Sequence, residues 1–244
     1  MSHPEIPTTH HHIGHYRVLR QLGEGGMGVV YEAVRDDIGI RAAVKVLRPE
    51  FARNMEISTR FFNEARAANM IQHPGIVKVF DYGHLPTGEA YLAMELLEGE
   101  SLRQRLEQRS RLNEADSMRI ARQIAAALAS AHAKNIVHRD LKPENVMLIP
   151  DAETPDGERI KILDFGIAKL DPTAQGLVRT RTNSMMGTPV YMAPEQCRGV
   201  KNIDDRADVY ALGVMIFEML VGTTPFHGHP MRVLVQHTHA APPS

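Results

Sequence analysis

The most informative segment of the sequence reads His138-Arg139-Asp140-Leu141-Lys142-Pro143-Glu144-Asn145. Its charged and polar side chains make it a poor core segment. It lies between a helical pattern at residues 113–133 and a short apolar run at residues 146–149, so we predict a loop. In such a loop a carboxylate can accept a hydroxyl proton, and an amide oxygen five residues later can bind a metal ion.

A second acidic group follows in Asp164-Phe165-Gly166, directly after the strand-like residues 160–163. A Mg²⁺ site that bridges phosphates requires hard oxygen ligands of this kind. The chain then shows no sustained periodicity over residues 167–195, which end in Pro189-Val190-Tyr191-Met192-Ala193-Pro194-Glu195. A long irregular stretch inside a compact domain is usually functional or disordered.

A glycine-rich segment near the N-terminus fits the spacing G-x-G-x-x-G with Gly23, Gly25 and Gly28. The spacing alone is weak, because dinucleotide-binding folds share it, but those folds have a helix directly after the glycines. Here the strand-like residues 29–31 follow. We therefore predict the tip of a β-hairpin, where glycines let the backbone approach a polyphosphate. A glycine-rich turn without a ligand is the alternative.

Lys45 lies between apolar neighbours on the strand predicted after this hairpin. Taken alone, a lysine in such a place is an ordinary solvated charge. A functional interpretation needs a carboxylate partner, which Glu64 can supply from a helix predicted over residues 58–71, with Ser58 as its cap. Such a pair would hold the ammonium group against the α- and β-phosphates of a nucleotide.

Apolar periodicity and turn residues predict the remaining elements. Strands are expected at residues 16–23, 29–34, 40–47, 76–83 and 91–97. Helices are expected at residues 113–133, capped by Asn113, and at residues 207–220, which are apolar nearly all round and should be buried. We interpret residues 1–15 as a flexible leader, residues 16–97 as a first domain and residues 98–244 as a second.

Composition excludes several classes of function. Lysine and arginine number 28 against 29 acidic residues, so a net charge of −1 argues against binding to nucleic acid or an anionic membrane surface. The single cysteine rules out an intrachain disulfide. We see neither a signal-peptide pattern nor an apolar run long enough to span a membrane, and we expect a cytoplasmic location.

Taken in order, these motifs resemble the eukaryotic-type serine/threonine protein kinases, and the segments at residues 73–83 and 187–199 resemble the bacterial branch. The resemblance extends over residues 16–226. It implies an α+β fold in two lobes, with a small antiparallel sheet and one helix in the N-terminal lobe and mainly helices in the C-terminal lobe. The implied activity is transfer of the γ-phosphoryl group of ATP to serine and threonine hydroxyls of proteins.

The resemblance also implies a nucleotide site. The glycines would cover the phosphates, and two apolar side chains would form the roof over adenine. Lys45, paired with Glu64, would orient the α- and β-phosphates. A gatekeeper and a hinge would complete the site. The matching residues are Gly23, Gly25, Gly28, Val30 and Ala43 (roof), Lys45, Met94 (gatekeeper), and Glu95 to Leu97 (hinge).

For the chemistry, the resemblance assigns Asp140 as the base that orients the hydroxyl, and Lys142 as the group that neutralises the γ-phosphate. Thr188 would bridge these two residues. Asn145 and Asp164 would bind Mg²⁺, with Mn²⁺ as an alternative metal. Asp208, in the helix predicted at residues 207–220, would anchor the catalytic loop.

The resemblance further implies regulation by phosphorylation, because Arg139 precedes the base. A phosphate on Thr173, Thr180, Thr182 or Ser184 could pair with Arg139, and we favour Thr180 or Thr182. The partners implied are ATP and protein substrates, with a kinase–kinase dimer for autophosphorylation in trans.

One departure from the family, the early end of the chain, leaves alternatives open. The chain ends where a kinase fold usually continues with further helices, so we expect a truncated domain in which Glu195 lacks its arginine partner and the helix at residues 207–220 is partly uncovered. A pseudokinase scaffold and a small-molecule kinase are the rival interpretations. We expect Cys197 to be structural, and the C-terminal histidines, in a mobile stretch, to bind no metal.

Overall fold

The computed structural model of the chain describes residues 11–165 and 189–243. The chain divides into two compact units. One runs to Asn69 and includes Val77–Leu97, and the other comprises Met70–Ile76 and the chain from Glu98 onward. The first unit contains an antiparallel sheet and the second is mainly helical, which agrees with the predicted α+β class.

Six strands form the sheet of the first unit, in the order β1-β2-β3-β4-β6-β5, with every neighbouring pair antiparallel. The strands are β1 (His12–Ile13), β2 (Tyr16–Glu24), β3 (Gly28–Arg35), β4 (Ile40–Leu47), β5 (Val79–His84) and β6 (Ala90–Glu95). The five strands predicted from the sequence are all present. The short turn between β3 and β4 is closed by Gly39, whose backbone is left-handed (φ 67°) and donates to the Arg35 carbonyl.

One face of this sheet carries the hydrophobic core of the first unit. Alternate side chains of the central strands point into it, because successive residues of a strand face opposite sides. The buried members of this core are Ile13, Tyr16, Tyr31, Ala33, Ala42, Val44, Val46, Leu85, Tyr91 and Ala93.

Strand β1 lies within the stretch that the sequence assigned to a flexible leader. His12 and Ile13 pair with Arg17 and Tyr16 of β2, and the Ile13 side chain is fully buried. The leader prediction is therefore wrong for these two residues. The composition of this segment is that of a polar tail. Burial of Ile13 and pairing with β2 nevertheless fix His12 and Ile13 in the sheet.

The helix of the first unit begins earlier than predicted. A short helix α1 (Pro49–Ala52) precedes α2 (Met55–Met70). Ser58, predicted as the cap, is buried inside α2, and the Asn54 side chain instead accepts hydrogen bonds from the backbone N–H groups of Glu56 and Ile57. Asn54 lies directly before the helix, where its side chain can reach these free N–H groups.

Gly28 is required by the packing of β3 against β4. A Cβ atom at this position would lie 2.2 Å from the backbone carbonyl oxygen of Val46, which is far inside van der Waals contact. At Gly26, by contrast, a Cβ atom would meet nothing within 4 Å. The two glycines of the same turn therefore have different roles.

We expect Gly28→Ala to lower the free energy of unfolding by about 2 kcal/mol, because the added methyl group must push the Val46 carbonyl aside. Gly26→Ala is the matched control and should change stability by less than about 0.5 kcal/mol. Urea denaturation of the two variants measures both values. Equal stability of the two variants would contradict the role given to Gly28.

The second unit contains a small sheet and the main helices. Strands β7 (Glu100–Ser101), β8 (Val146–Pro150) and β9 (Glu158–Ile162) form an antiparallel sheet in that order. The helices are α3 (Leu102–Arg109), α4 (Glu114–His132), α5 (Pro194–Cys197), α6 (Arg206–Val221) and α7 (Pro230–His239), with 3₁₀ turns at Pro143–Asn145 and Pro189–Tyr191.

Helices α4 and α6 form the centre of this unit. Asn113 caps α4 as predicted, with its side chain accepting from the Asp116 N–H, and residues such as Ile120 and Ile124 are fully buried. Helix α6 buries eight side chains, but Val209 and Val221 are exposed, so the predicted burial of this helix is only partly confirmed. None of the helices in the described ranges combines the length and hydropathy of a membrane span.

Helix α7 replaces the mobile C-terminal stretch expected from the sequence. Val233 and His237 are buried, and α7 packs on α5 and on the turn Pro189–Tyr191. His237 shares a hydrogen bond of 2.7 Å between its Nδ1 atom and the Tyr210 hydroxyl, and its ring meets Phe226 edge-on. These contacts give the helix an ordered place in the unit.

Burial lowers the pKa of His237 from its ordinary value of 6.5, and the nearby backbone of Val190 and Pro189 opposes this only in part. The unfolded chain therefore binds a proton at His237 more readily than the folded chain does. Its contribution to stability is complete above the ordinary pKa, and it decreases as the pH falls from there toward the lowered value.

We therefore expect acidification from about pH 7.5 to about pH 5.5 to destabilise the wild-type chain more than His237→Gln. Urea denaturation at both pH values measures the difference. If the two proteins lose the same free energy of unfolding, the titration of His237 is not responsible for the loss.

Candidate functional site

The glycine segment forms the tip of the β2–β3 hairpin, as predicted. The Gly25 N–H donates to the Gly28 carbonyl across the turn at 2.9 Å, and Arg48 contacts the Glu24 carboxylate at 2.6 Å beside it. A Cβ atom at Gly23 or Gly25 would meet nothing within 4 Å, so the space next to these two residues is open. Strand β3 follows the glycines directly, which excludes the dinucleotide-binding alternative.

Four of the predicted nucleotide-site residues share one face of the sheet. Lys45 pairs with Val30 on one side and with Leu92 on the other, and Ala43 pairs with Met94. These residues alternate along their strands with the core residues Val44 and Ala93, so they lie on the face opposite the core. The sheet thus brings Val30, Ala43, Lys45 and Met94 together.

Three further predicted residues lie near this sheet in the first unit. Glu64 is a half-buried residue of α2, and Lys45 is also half-buried. Their ion pair stays a prediction. Glu95 ends strand β6, where its N–H donates to the Lys78 carbonyl at 2.9 Å and its carboxylate accepts from the Lys78 N–H at 2.7 Å. Leu97 follows two residues later and is also half-buried.

In the second unit, the loop at residues 138–145 is held by the buried carboxylate of Asp208. The Oδ2 atom accepts from the His138 N–H and the Oδ1 atom from the Arg139 N–H, each at 2.8 Å. The Nε2 atom of His132 lies 2.7 Å from the same Oδ2 atom. Asp208 is 1% exposed, and these bonds compensate for the burial of its charge. The predicted anchoring role is confirmed.

His138 connects this loop to the chain segment that leads to Asp164. Its buried ring places Nε2 at 2.9 Å from the Leu163 carbonyl, and Nδ1 accepts from the Asp140 N–H at 3.3 Å. The ring also packs on Phe165, with 4.9 Å between ring centroids. The Leu163 N–H donates to the Asn145 carbonyl at 2.8 Å, which joins the same two segments a second time.

The three polar side chains of the loop lie close together. The Asn145 Nδ2 atom donates to the Asp140 carbonyl at 2.8 Å, and the Lys142 Nζ atom lies 3.3 Å from the Asp140 Oδ2 atom. Because the amide nitrogen of Asn145 is used inside the loop, its oxygen is the atom that remains to act as a ligand. The Asp140–Lys142 ion pair is partly exposed and can be rearranged by a substrate.

Two residues of this region have left-handed backbones although they are not glycines. These are Arg139, with φ of 65°, and Asp164, with φ of 44°. Such conformations cost energy for residues with a Cβ atom and cluster at functional sites. Neither could be predicted from residue type.

The donor set of the second unit fits a hard divalent metal ion. Asn145 and Asp164 offer an amide and a carboxylate oxygen, which are ligands that hard divalent cations prefer. Within the described part of the chain, no group of three or more histidine, cysteine or acidic side chains could form a metal cage.

The sequence model described as "Protein kinase domain" matches residues 16–241 of the chain. The chain belongs to the protein kinase family. The match covers both units and includes every residue that sequence analysis assigned to the site.

Several bacterial proteins are similar to this kinase domain. It is 42% identical over 212 residues to serine/threonine-protein kinase pkn3 of Myxococcus xanthus, with 86% of this chain and 38% of that protein aligned. It is 43% identical over 235 residues to PknA of Mycobacterium tuberculosis, covering 94% and 52%. It is 36% identical over 232 residues to PrkC of Bacillus subtilis, covering 95% and 34%. The chain thus spans about half or less of the length of these relatives.

Some predicted residues of the kinase domain lie outside the described ranges. They are Gly166, Thr173, Thr180, Thr182, Ser184 and Thr188. Arg139, expected to meet a phosphate there, donates to the Ile203 carbonyl at 3.1 Å, and burial lowers its pKa. Its buried Nε atom has no hydrogen-bond partner within residues 11–165 and 189–243.

Sequence reasoning missed two contacts of the kinase loop. Gln196 of helix α5 donates from its side chain to the Arg139 carbonyl at 2.8 Å, and His132 at the end of α4 contacts Asp208. Each contact joins residues that are distant in sequence, 57 positions apart for Gln196 and Arg139 and 76 for His132 and Asp208, and neither contact belongs to a local motif. The sequence offered one signal for such a contact, namely His132, a polar residue at the end of an apolar helix.

We expect Asp208→Asn to lower the free energy of unfolding by about 3 kcal/mol, because an amide cannot accept all three hydrogen bonds of the carboxylate. Asp205→Asn, three residues earlier at the start of α6, is the control, since that side chain is 57% exposed. Urea denaturation measures both. A loss at Asp208 no larger than the loss at Asp205 would contradict the anchoring role.

Proposed function

We propose that this kinase domain transfers the γ-phosphoryl group of ATP to serine and threonine hydroxyls of proteins. The observation that carries the proposal is the loop in which Asp140, Lys142 and Asn145 are held together, with its first N–H groups fixed by Asp208. The names of the three relatives described above, all serine/threonine-protein kinases, support the same activity.

In this proposal Asp140 accepts the hydrogen bond of the substrate hydroxyl and then its proton. The hydroxyl oxygen forms a bond to the γ-phosphorus as the bond from that phosphorus to the ADP oxygen breaks. Lys142, 3.3 Å from Asp140, supplies a positive charge for the transferring group. Asn145 and Asp164 would hold Mg²⁺, with Mn²⁺ as the alternative, and the metal would neutralise phosphate charge when bound.

The first unit would bind the nucleotide. Gly23 and Gly25 have open space beside their backbone, which would accommodate the phosphates. Gly28 would also lie near the phosphates, and in addition it allows β3 to pack closely against β4. Lys45 would contact the α- and β-phosphates and pair with Glu64, while Val30 and Ala43 cover the adenine. Because the Glu95 N–H is already used within the sheet, the hinge N–H offered to adenine would come from Leu97.

The two rival functions are less well supported. A pseudokinase would lack one of the residues needed for transfer, but Lys45, Asp140, Asn145 and Asp164 are all present. A small-molecule kinase generally lacks the segment that forms a peptide groove, and the chain has Pro189–Glu195 in that place. Acceptors with a hydroxyl on a protein are therefore the favoured class.

The proposal extends to the regulation and the location of the domain. We infer autophosphorylation at a hydroxyl between Thr173 and Ser184, carried out in trans within a dimer, and a role in signalling. Because ATP is the substrate, the domain would act in the cytoplasm.

We expect Asp140→Asn to lower the rate of label transfer from γ-labelled ATP to casein by about 1,000-fold, because an amide cannot accept the hydroxyl proton. The matched control is Asp156→Asn, in an exposed loop, which should keep the wild-type rate. Label transfer that is equal in the Asp140→Asn variant and the wild type would contradict the assignment of the base.

A further inference from the structure

Arg103, the second residue of helix α3, contacts three different side chains with one guanidinium group. Its Nε atom donates to the Glu144 Oε1 atom at 3.0 Å and its NH1 atom to the Glu218 Oε1 atom at 2.9 Å. Its NH2 atom donates to the Tyr191 hydroxyl. The planar fork of an arginine suits such simultaneous contacts, which a lysine cannot reproduce.

In the cluster formed by Arg103, Glu144, Tyr191 and Glu218, Glu144 is exposed, whereas the other three side chains are partly or fully buried. The Tyr191 hydroxyl donates to the Glu218 Oε2 atom at 2.6 Å, and both side chains are buried. Arg103 itself is 25% exposed. Burial lowers the pKa of Arg103, but the hydrogen bond to Glu218 and the surrounding charges outweigh it and raise the pKa, so the guanidinium keeps its charge.

These four residues come from four separate parts of the second unit. Glu144 belongs to the 3₁₀ turn Pro143–Asn145 and directly precedes Asn145, the proposed metal ligand. Tyr191 ends the 3₁₀ turn Pro189–Tyr191, Glu218 lies in α6, and Arg103 lies in α3. Arg103 therefore joins the end of the candidate catalytic loop to the segment that contains Tyr191.

We propose that Arg103 is a positioning residue for phosphoryl transfer, which sets the 3₁₀ turn Pro143–Asn145 in register with Tyr191. The proposal rests on the function proposed above. Errors of about 1 Å in the placement of reacting groups can lower a rate about 100-fold. A residue that fixes Glu144 thus fixes the neighbouring Asn145 side chain and, through the Asn145 bond to the Asp140 carbonyl, the base.

Arg105 provides a matched control on the same helix. It is also partly buried, and it forms ion pairs with Glu100 and Glu158, away from the loop at residues 138–145. Replacing either arginine by lysine removes the forked contacts and keeps the charge. The two substitutions therefore have similar structural costs and differ in whether they touch the catalytic loop.

The experiment measures kcat, the KM for ATP and the midpoint of thermal unfolding for Arg103→Lys, Arg105→Lys, Glu144→Ala and the double variant Arg103→Lys/Glu144→Ala. The assay uses γ-labelled ATP, Mg²⁺ and casein with the 244-residue chain. We expect Arg103→Lys to lower kcat about tenfold with KM for ATP within about twofold, because geometry and not nucleotide binding is disturbed. The double variant should lose no more than the single one, since both changes break the same contact.

A purely structural role would give a different pattern. If Arg103→Lys and Arg105→Lys lower the unfolding midpoint alike and leave kcat within about twofold of wild type, the positioning role is wrong. If Arg103→Lys does not fold, Glu144→Ala decides, because Glu144 is 46% exposed and tolerates the change; an unchanged kcat there overturns the proposal. Transfer that needs Asp140 but is indifferent to Arg103 leaves the proposed function standing, whereas a wild-type chain without transfer contradicts both.

Discussion

The buried carboxylate of Asp208 is the interaction on which the candidate site depends. It fixes the N–H groups of His138 and Arg139, and His138 in turn fixes the segment that carries Asp164. An anion buried in a mainly apolar helix would be costly without these partners. The site thus derives its geometry from one charge whose hydrogen bonds leave the loop little freedom.

Helix α6 holds the loop at both ends. Asp208 lies in its first turn and binds the start of the loop, while Glu218 lies ten residues later and contacts Arg103, which binds Glu144 near the end of the loop. Ten residues of α-helix span about 15 Å, which is enough to separate the two attachment points. A rigid apolar helix with two buried acids therefore acts as the frame for the candidate site.

The sequence predicted what depends on neighbouring residues and missed what depends on distant ones. Alternation identified the strands, and Asn113 was identified as a cap, because these features depend on a few adjacent positions. The cap of α2 was misplaced because Asn54 and Ser58 are both good capping residues and only the packing of the helix decides between them. The partners of Arg103 lie 41, 88 and 115 positions away, so no local pattern could have assigned them.

The left-handed backbones of Arg139 and Asp164 have a consequence for how this domain can change. Glycine adopts such conformations without strain, so glycine at either position would relax the chain while removing a side chain that the chemistry needs. At these two positions a substitution by glycine is expected to raise thermal stability and to lower turnover. Selection of variants for resistance to melting alone would therefore favour well-folded proteins that have lost the ability to modify their targets.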